Sequence, residues 1–84
     1  MIENIRKTIR EMITNTGIVP NKIRIHPVDL RELISENILF FQCEDDGFDF
    51  SIIKLFGLEV VETIRVEEGT AEIYNDEYFI EVKK

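Results

Sequence analysis

The chain has no tryptophan and a single cysteine, Cys43, so no internal disulfide can staple it. A lone thiol in the apolar stretch Phe-Phe-Gln-Cys-Glu reads as a small buried side chain in a reducing compartment. Long hydrophobic runs are missing too. The longest, residues 38–41, is far short of the roughly 20 residues that a membrane-spanning helix needs. The opening residues carry Glu3, Arg6, Lys7, Arg10 and Glu11 with no apolar run after them, which is not the pattern of a signal peptide. The expected setting is therefore a cytoplasm, that of a host included, or a particle assembled there, without membrane attachment. The four glycines stand at separate joints, and none builds a phosphate-cradling loop. No repeat, linker or low-complexity segment interrupts the chain.

Positive charge is in short supply. Ten Lys or Arg face 17 Asp or Glu, for a net charge of −7. The imbalance is uneven. Residues 1–31 carry six basic against three acidic side chains, and residues 32–84 carry four against fourteen. The acidic part argues against direct nucleic-acid binding on a sheet, because phosphates would be repelled. The apolar fraction of 44% is that of a folded globular chain, and 84 residues make one domain, 1–84. A chain this short buries only about 60–65% of its unfolded surface, which leaves little room for a deep catalytic cleft.

Periodicity supplies the elements. Ile2, Ile5, Ile9, Met12, Ile13 and Thr16 recur at spacings of three and four, so residues 2–16 read as an amphipathic helix. Gly17 is its expected stop, in the left-handed position. Ile23 and Ile25 alternate with Lys22, Arg24 and His26 in a short strand. Pro27 ends it and opens a second helix, to about residue 35 or 36, with Leu30, Leu33 and Ile34 on its apolar side and Asn37 as cap. Residues 38–43 are apolar on both faces and read as a central strand. Asp45-Asp46-Gly47 is a hairpin signal, with Phe48, Phe50 and Ile52 on the return strand. Alternation at residues 58–61, 63–67 and 71–74 reads as a meander of three strands with carboxylates on its outer face. A last tight turn at residues 74–78 leads to a strand with Tyr78, Ile80 and Val82 on one side. The predicted fold is α+β, with two helices packed on a mainly antiparallel sheet of about five strands.

No constellation of catalytic residues is visible. His26 has no serine or cysteine neighbour in sequence and sits at a strand–helix joint, where it caps or packs. Glu44, Asp45, Asp46 and Asp49 gather four carboxylates within six residues, but without the spacing of a twelve-residue calcium loop, so a solvated hairpin tip is expected. No metal, cofactor or enzymatic activity is predicted. Two features point to contacts with protein. The apolar stripe of the first helix has an a/d-like spacing and is flanked by charge, which makes Ile2, Ile5, Arg6, Lys7, Ile9 and Arg10 the candidate interaction residues. Phe40, Phe41, Phe48, Phe50 and Phe56 exceed what a small core needs, so one face is expected to be covered by a partner.

Three segments carry a resemblance. They are Asn-Lys-Ile-Arg-Ile-His-Pro-Val-Asp-Leu-Arg-Glu-Leu, a hairpin of variable sequence, and a closing pair of glycine-led strands. In that pair Leu55, Gly57 and Val60 match one short motif, and Gly69 with Ala71 a second. Over residues 21–76 this order resembles the C-terminal part of the axial domain in major capsid proteins of tailed bacteriophages, a fold shared with encapsulin shells. Glu59 stands where the family usually has proline. The matched region includes no N-terminal arm, extended loop or spine helix, so the resemblance implies a stand-alone module that associates with a capsid or with itself. It brings no catalytic residues. The function expected on this basis is a non-enzymatic phage- or prophage-related structural or assembly protein. The alternative is a small acidic inhibitor or regulator that presents rows of carboxylates to a nucleic-acid-binding protein.

Overall fold

A computed structural model describes residues 1–45, 47, 50–76 and 78–83. The stripe at residues 2–16 is helix α1, Ile2–Thr16. It ends where expected. Gly17 takes φ 72°, which a side chain would strain, and its N–H donates to the Ile13 carbonyl at 3.0 Å. Strand β1, Lys22–Ile25, leads directly into α2, Pro27–Asn37. His26 is the N-cap of α2. Its Nδ1 accepts from the Val28 N–H at 3.2 Å, and Pro27 fills the first helical position, where no N–H is missed.

A 3-10 turn, Ile38–Phe40, follows, then β2 (Phe41–Asp45), β3 (Phe50–Leu55) and β4 (Leu58–Glu62). β5 (Thr70–Asn75) and β6 (Tyr78–Lys83) close the chain. The six strands form one mixed sheet in the order β2-β3-β4-β1-β5-β6. Only β1 and β4 run parallel, with Ile23 opposite Val60, and the other neighbours are antiparallel. The architecture is α+β with two helices on a sheet, as the periodicity predicts, and with one strand more.

Two expectations need correction. Residues 38–43 are not a central strand. The chain makes a 3-10 turn to Phe40, and β2 then lies at the edge of the sheet. Residues 58–74 are not a meander, because β1 lies between β4 and β5. The connection must pass the end of β1, so residues 63–67 are loop and not strand. There the Thr63 N–H extends the ladder to the Ile25 carbonyl at 3.0 Å, and the Thr63 hydroxyl then accepts from the Arg65 N–H at 3.2 Å and turns the chain. The Asp45-Asp46-Gly47 turn and Phe48 fall partly or wholly outside the described residues, although β2 and β3 pair as the two arms of a hairpin.

The core lies on one face of the sheet. Ile23 and Ile25 of β1, Leu58 of β4, Ala71 and Ile73 of β5 and Val82 of β6 meet Ile5 and Met12 of α1 and Leu30 and Leu33 of α2 in one cluster. Both helices therefore cover the same side. Lys22, Arg24, Glu59, Glu72, Tyr74 and Phe79 alternate with these residues and line the opposite face, which neither helix covers.

Candidate functional site

The structure divides the six candidate interaction residues. Ile5 is fully buried and belongs to the chain's own core, so it offers no surface to a partner. Ile2 and Ile9 are half-buried against the same core. The apolar stripe of α1 thus has its partner in the sheet beneath it. Lys7 and Arg10 are exposed, and Lys7 stands 3.9 Å from Glu11, a turn along the helix.

Arg6 has a different setting. Its guanidinium carbon lies 5.0 Å from the centre of the Phe40 ring and 5.3 Å from that of Phe56. The two rings are tilted at 45° with centres 5.3 Å apart. A cation over two ring faces is attracted by both, by roughly 0.5–1 kcal/mol each at an exposed site. Glu3 adds a carboxylate 3.7 Å from Arg6.

Three elements converge here. α1 supplies Arg6, the 3-10 turn supplies Phe40, and the β3–β4 hairpin supplies Phe56. The hairpin is a two-residue connection in which Phe56 and Gly57 both have positive φ, 50° and 82°. Asn-Gly is the usual pair for such a turn, and a phenylalanine there is strained by about 1 kcal/mol. The ring's contacts with Phe40 and Arg6 offset that strain. Beside this step the turn presents Leu39 with 95% of its surface in water, flanked by exposed Ile38 and Phe40. The result is an apolar ledge with an arginine at its rim and Lys7 and Arg10 on the same helix.

Sequence reasoning placed Arg6 at a surface and Phe40 in an aromatic cluster larger than the core needs, but it missed Leu39, because it read residues 38–43 as strand. The available signal was the chain's longest apolar run lying directly after a helix. Of the expected phenylalanine cluster, Phe41 is core, Phe40 is exposed and Phe56 half-buried. Phe48 lies outside the described residues, as does the side chain of Phe50. Cys43, expected to be buried, is half-buried on edge strand β2, with its thiol 3.9 Å from the Phe41 carbonyl.

The second surface is the uncovered sheet face. Arg24 donates from Nε to the Tyr74 hydroxyl at 3.2 Å, lies 4.8 Å from that ring's centre, and stands 3.8 Å from Glu72. Lys54 lies opposite Glu59 across the β3–β4 pair. Among the described residues of this face acids and bases interleave, Lys22 opposite Glu59 and Arg24 opposite Glu72, although Glu72 also lies opposite Glu81. The carboxylates of residues 44–49 fall partly outside the described residues. Among the described residues no group of three or more His, Cys, Asp or Glu side chains is placed to hold a metal ion. No described helix is long and apolar enough to cross a membrane.

One residue without a signal in the sequence is Asp29. It lies in the first turn of α2 with only 4% of its surface exposed, and its Oδ2 accepts from the Gly69 N–H at 2.7 Å. It fastens the helix to the end of the loop that crosses over β1. No family model matches the chain, and no curated protein or solved structure matches it.

Proposed function

We propose that the chain is a non-enzymatic structural or assembly protein, phage- or prophage-related, that works through protein–protein contacts. The phage-related part draws on the resemblance carried by residues 21–76. The contact part rests on one observation, the fully exposed Leu39 beside the Arg6–Phe40–Phe56 stack. Phenylalanine and arginine are enriched at the centre of protein interfaces, with charge at the rim, and an exposed leucine beside them adds apolar area to bury. Burying Leu39 alone against a partner is worth about 1.5–3 kcal/mol. The contact region moves accordingly. It keeps Arg6, Lys7 and Arg10 of the expected set and exchanges the isoleucines of α1 for the ledge.

The alternative of an acidic inhibitor draws no support from the uncovered sheet face, where acids and bases interleave. The test of the leading reading is Leu39→Asp, assayed by chemical cross-linking and co-purification from cells that express the chain. Leu39 contacts almost nothing in its own fold, so circular dichroism and thermal midpoint stay unchanged. Any complex weakens by at least about tenfold, or ~1.4 kcal/mol. A chain that is free monomer in every preparation, with or without the substitution, counts decisively against the reading.

A further inference from the structure

We infer that β6 pairs edge to edge with β6 of a second copy of this chain, antiparallel about a two-fold axis at Ile80, and so joins two sheets into one. The inference is independent of the ledge. The order β2-β3-β4-β1-β5-β6 leaves two edges, and each edge offers a row of unpaired N–H and C=O groups. The chain treats the two edges differently. β2 shifts register between Gln42 and Cys43 and ends on Glu44 and Asp45, and both a bulge and charge discourage a further strand. β6 pairs with β5 along its whole length without a break and contains no proline. Its first two residues, Tyr78 and Phe79, leave large aromatic side chains exposed on its two faces.

The register follows from what is left free. The Asn4 side chain of α1 donates to the Lys83 carbonyl at 3.3 Å and so occupies that end of the strand. The stretch that remains, residues 78–82, is centred on Ile80. Antiparallel pairing about that residue sets Tyr78 opposite Val82 and Phe79 opposite Glu81, each twice. Tyr78 and Ile80 lie on the same side as Val82, which is in the core, so the row under the helices stays apolar across the junction. An aromatic side chain opposite a β-branched one is a favourable cross-strand pair. Moving the axis to Glu81 instead puts that carboxylate against its own copy and calls on the Lys83 carbonyl that Asn4 already holds.

A second copy is the occupant because its own edge is an ordered strand with the same free groups, whereas a disordered peptide loses chain entropy when it adds to a sheet. α1 lies over β5 and β6. With strands about 4.8 Å apart, the two α1 helices stand about 10 Å apart across the axis, a normal packing distance, so neither blocks the approach. The contact is isologous and closes at two copies. It is also small. A stable interface buries about 800 Å² per partner, and five paired residues cover less, so the dissociation constant falls on the order of 10⁻⁴ M.

The experiment places a charge of either sign at exposed Phe79 of the full chain. Sedimentation velocity follows the native chain, Phe79→Glu and Phe79→Lys from about 10 μM to about 1 mM, with circular dichroism to verify that each is folded. The native chain is expected to approach the mass of a dimer and stop there. Phe79→Glu meets Glu81 of the other copy at two places and weakens the dimer about fivefold, whereas Phe79→Lys meets the same two carboxylates and strengthens it by about as much. In a Cys43→Ser background, Ile80→Cys is expected to cross-link into dimers on air oxidation, because residues paired on the axis have Cα atoms within disulfide reach, and Glu81→Cys is not. Native chain that stays monomeric to about 1 mM overturns the inference, as does growth beyond a dimer. Equal responses to glutamate and lysine at position 79, or stronger cross-linking from Glu81→Cys than from Ile80→Cys, also overturn it. A dimer that Leu39→Asp abolishes and the Phe79 variants leave alone refutes the β6 contact and places self-association on the ledge.

Discussion

A carboxylate with 4% of its surface in water needs strong partners, and Asp29 has one in the Gly69 amide at 2.7 Å. It also sits in the first turn of α2, where the helix dipole favours negative charge. Replacing it with alanine leaves a partly buried N–H without its acceptor and removes the charge from the helix start. We expect Asp29→Ala to lower stability by about 2–3 kcal/mol. Asp29→Asn keeps an acceptor oxygen of the same reach and is expected to lose about half as much. Urea midpoints at constant slope measure both. Equal losses for the two variants would mean that the hydrogen bond contributes little beside the charge. Nothing in the sequence marks Asp29 as buried. It lies one residue before Leu30 in a helix whose polar positions face water elsewhere, and its partner is forty residues away.

Helix α1 was fully legible as an element and misleading as a surface. Its stripe at 2, 5, 9 and 12 predicts a helix packed on the chain's own sheet, as the structure has it, and the same stripe also suggested a partner surface, which the burial of Ile5 excludes. Ile5→Ala therefore acts on folding. A fully buried isoleucine cut to alanine costs about 3 kcal/mol, whereas exposed Lys7→Ala costs under about 0.5 kcal/mol. Thermal or urea unfolding of the two variants checks the contrast. The complement is Leu39→Asp, which acts on association and leaves folding alone, so the pair separates core from contact surface. The elements that were misread share one cause. Local alternation reports which side chains are apolar, not which strand lies next door. Residues 63–67 alternate as well as any strand, but β4 and β5 flank β1, and the connection between them has to leave the sheet. Residues 38–41 are apolar on both faces, which suits a central strand. Here the apolarity is divided between Phe41, which enters the core from edge strand β2, and a turn that holds Leu39 in water. The ledge was invisible for the same reason. Arg6, Phe40 and Phe56 come from three segments and meet only once the sheet is built.

At the scale of the molecule, the order of strands decides what must form together. β1 is a four-residue strand, yet it carries both long-range pairings of the sheet, to β4 on one side and β5 on the other. Lys22 is opposite Glu59 on one side and Tyr74 on the other, so β1 finds its neighbours 37 and 52 residues further along the chain. Non-local pairing of this kind has a high loop-closure cost and makes folding slow and cooperative. It also sets the pattern of local opening. Ile23, Ile25 and Ile73 have side chains wholly inside the core and lie in strands flanked on both sides, so their amides are expected to exchange only when the whole molecule unfolds. For a domain of this size that opening costs about 5–10 kcal/mol. β2 is bonded on one side only and leads out of the exposed turn, and its amides are expected to open locally at a cost at least ~2 kcal/mol lower. Native-state hydrogen exchange in low denaturant separates the two classes. β1, β4 and β5 should merge into one exchange isotherm with the global slope, while β2 stays shallow. If β1 amides instead exchanged by the shallow route, the short central strand would not be what ties the two halves of the sheet together. Asp29 would then matter more than the ladder, because its bond to Gly69 is the other link across the end of β1.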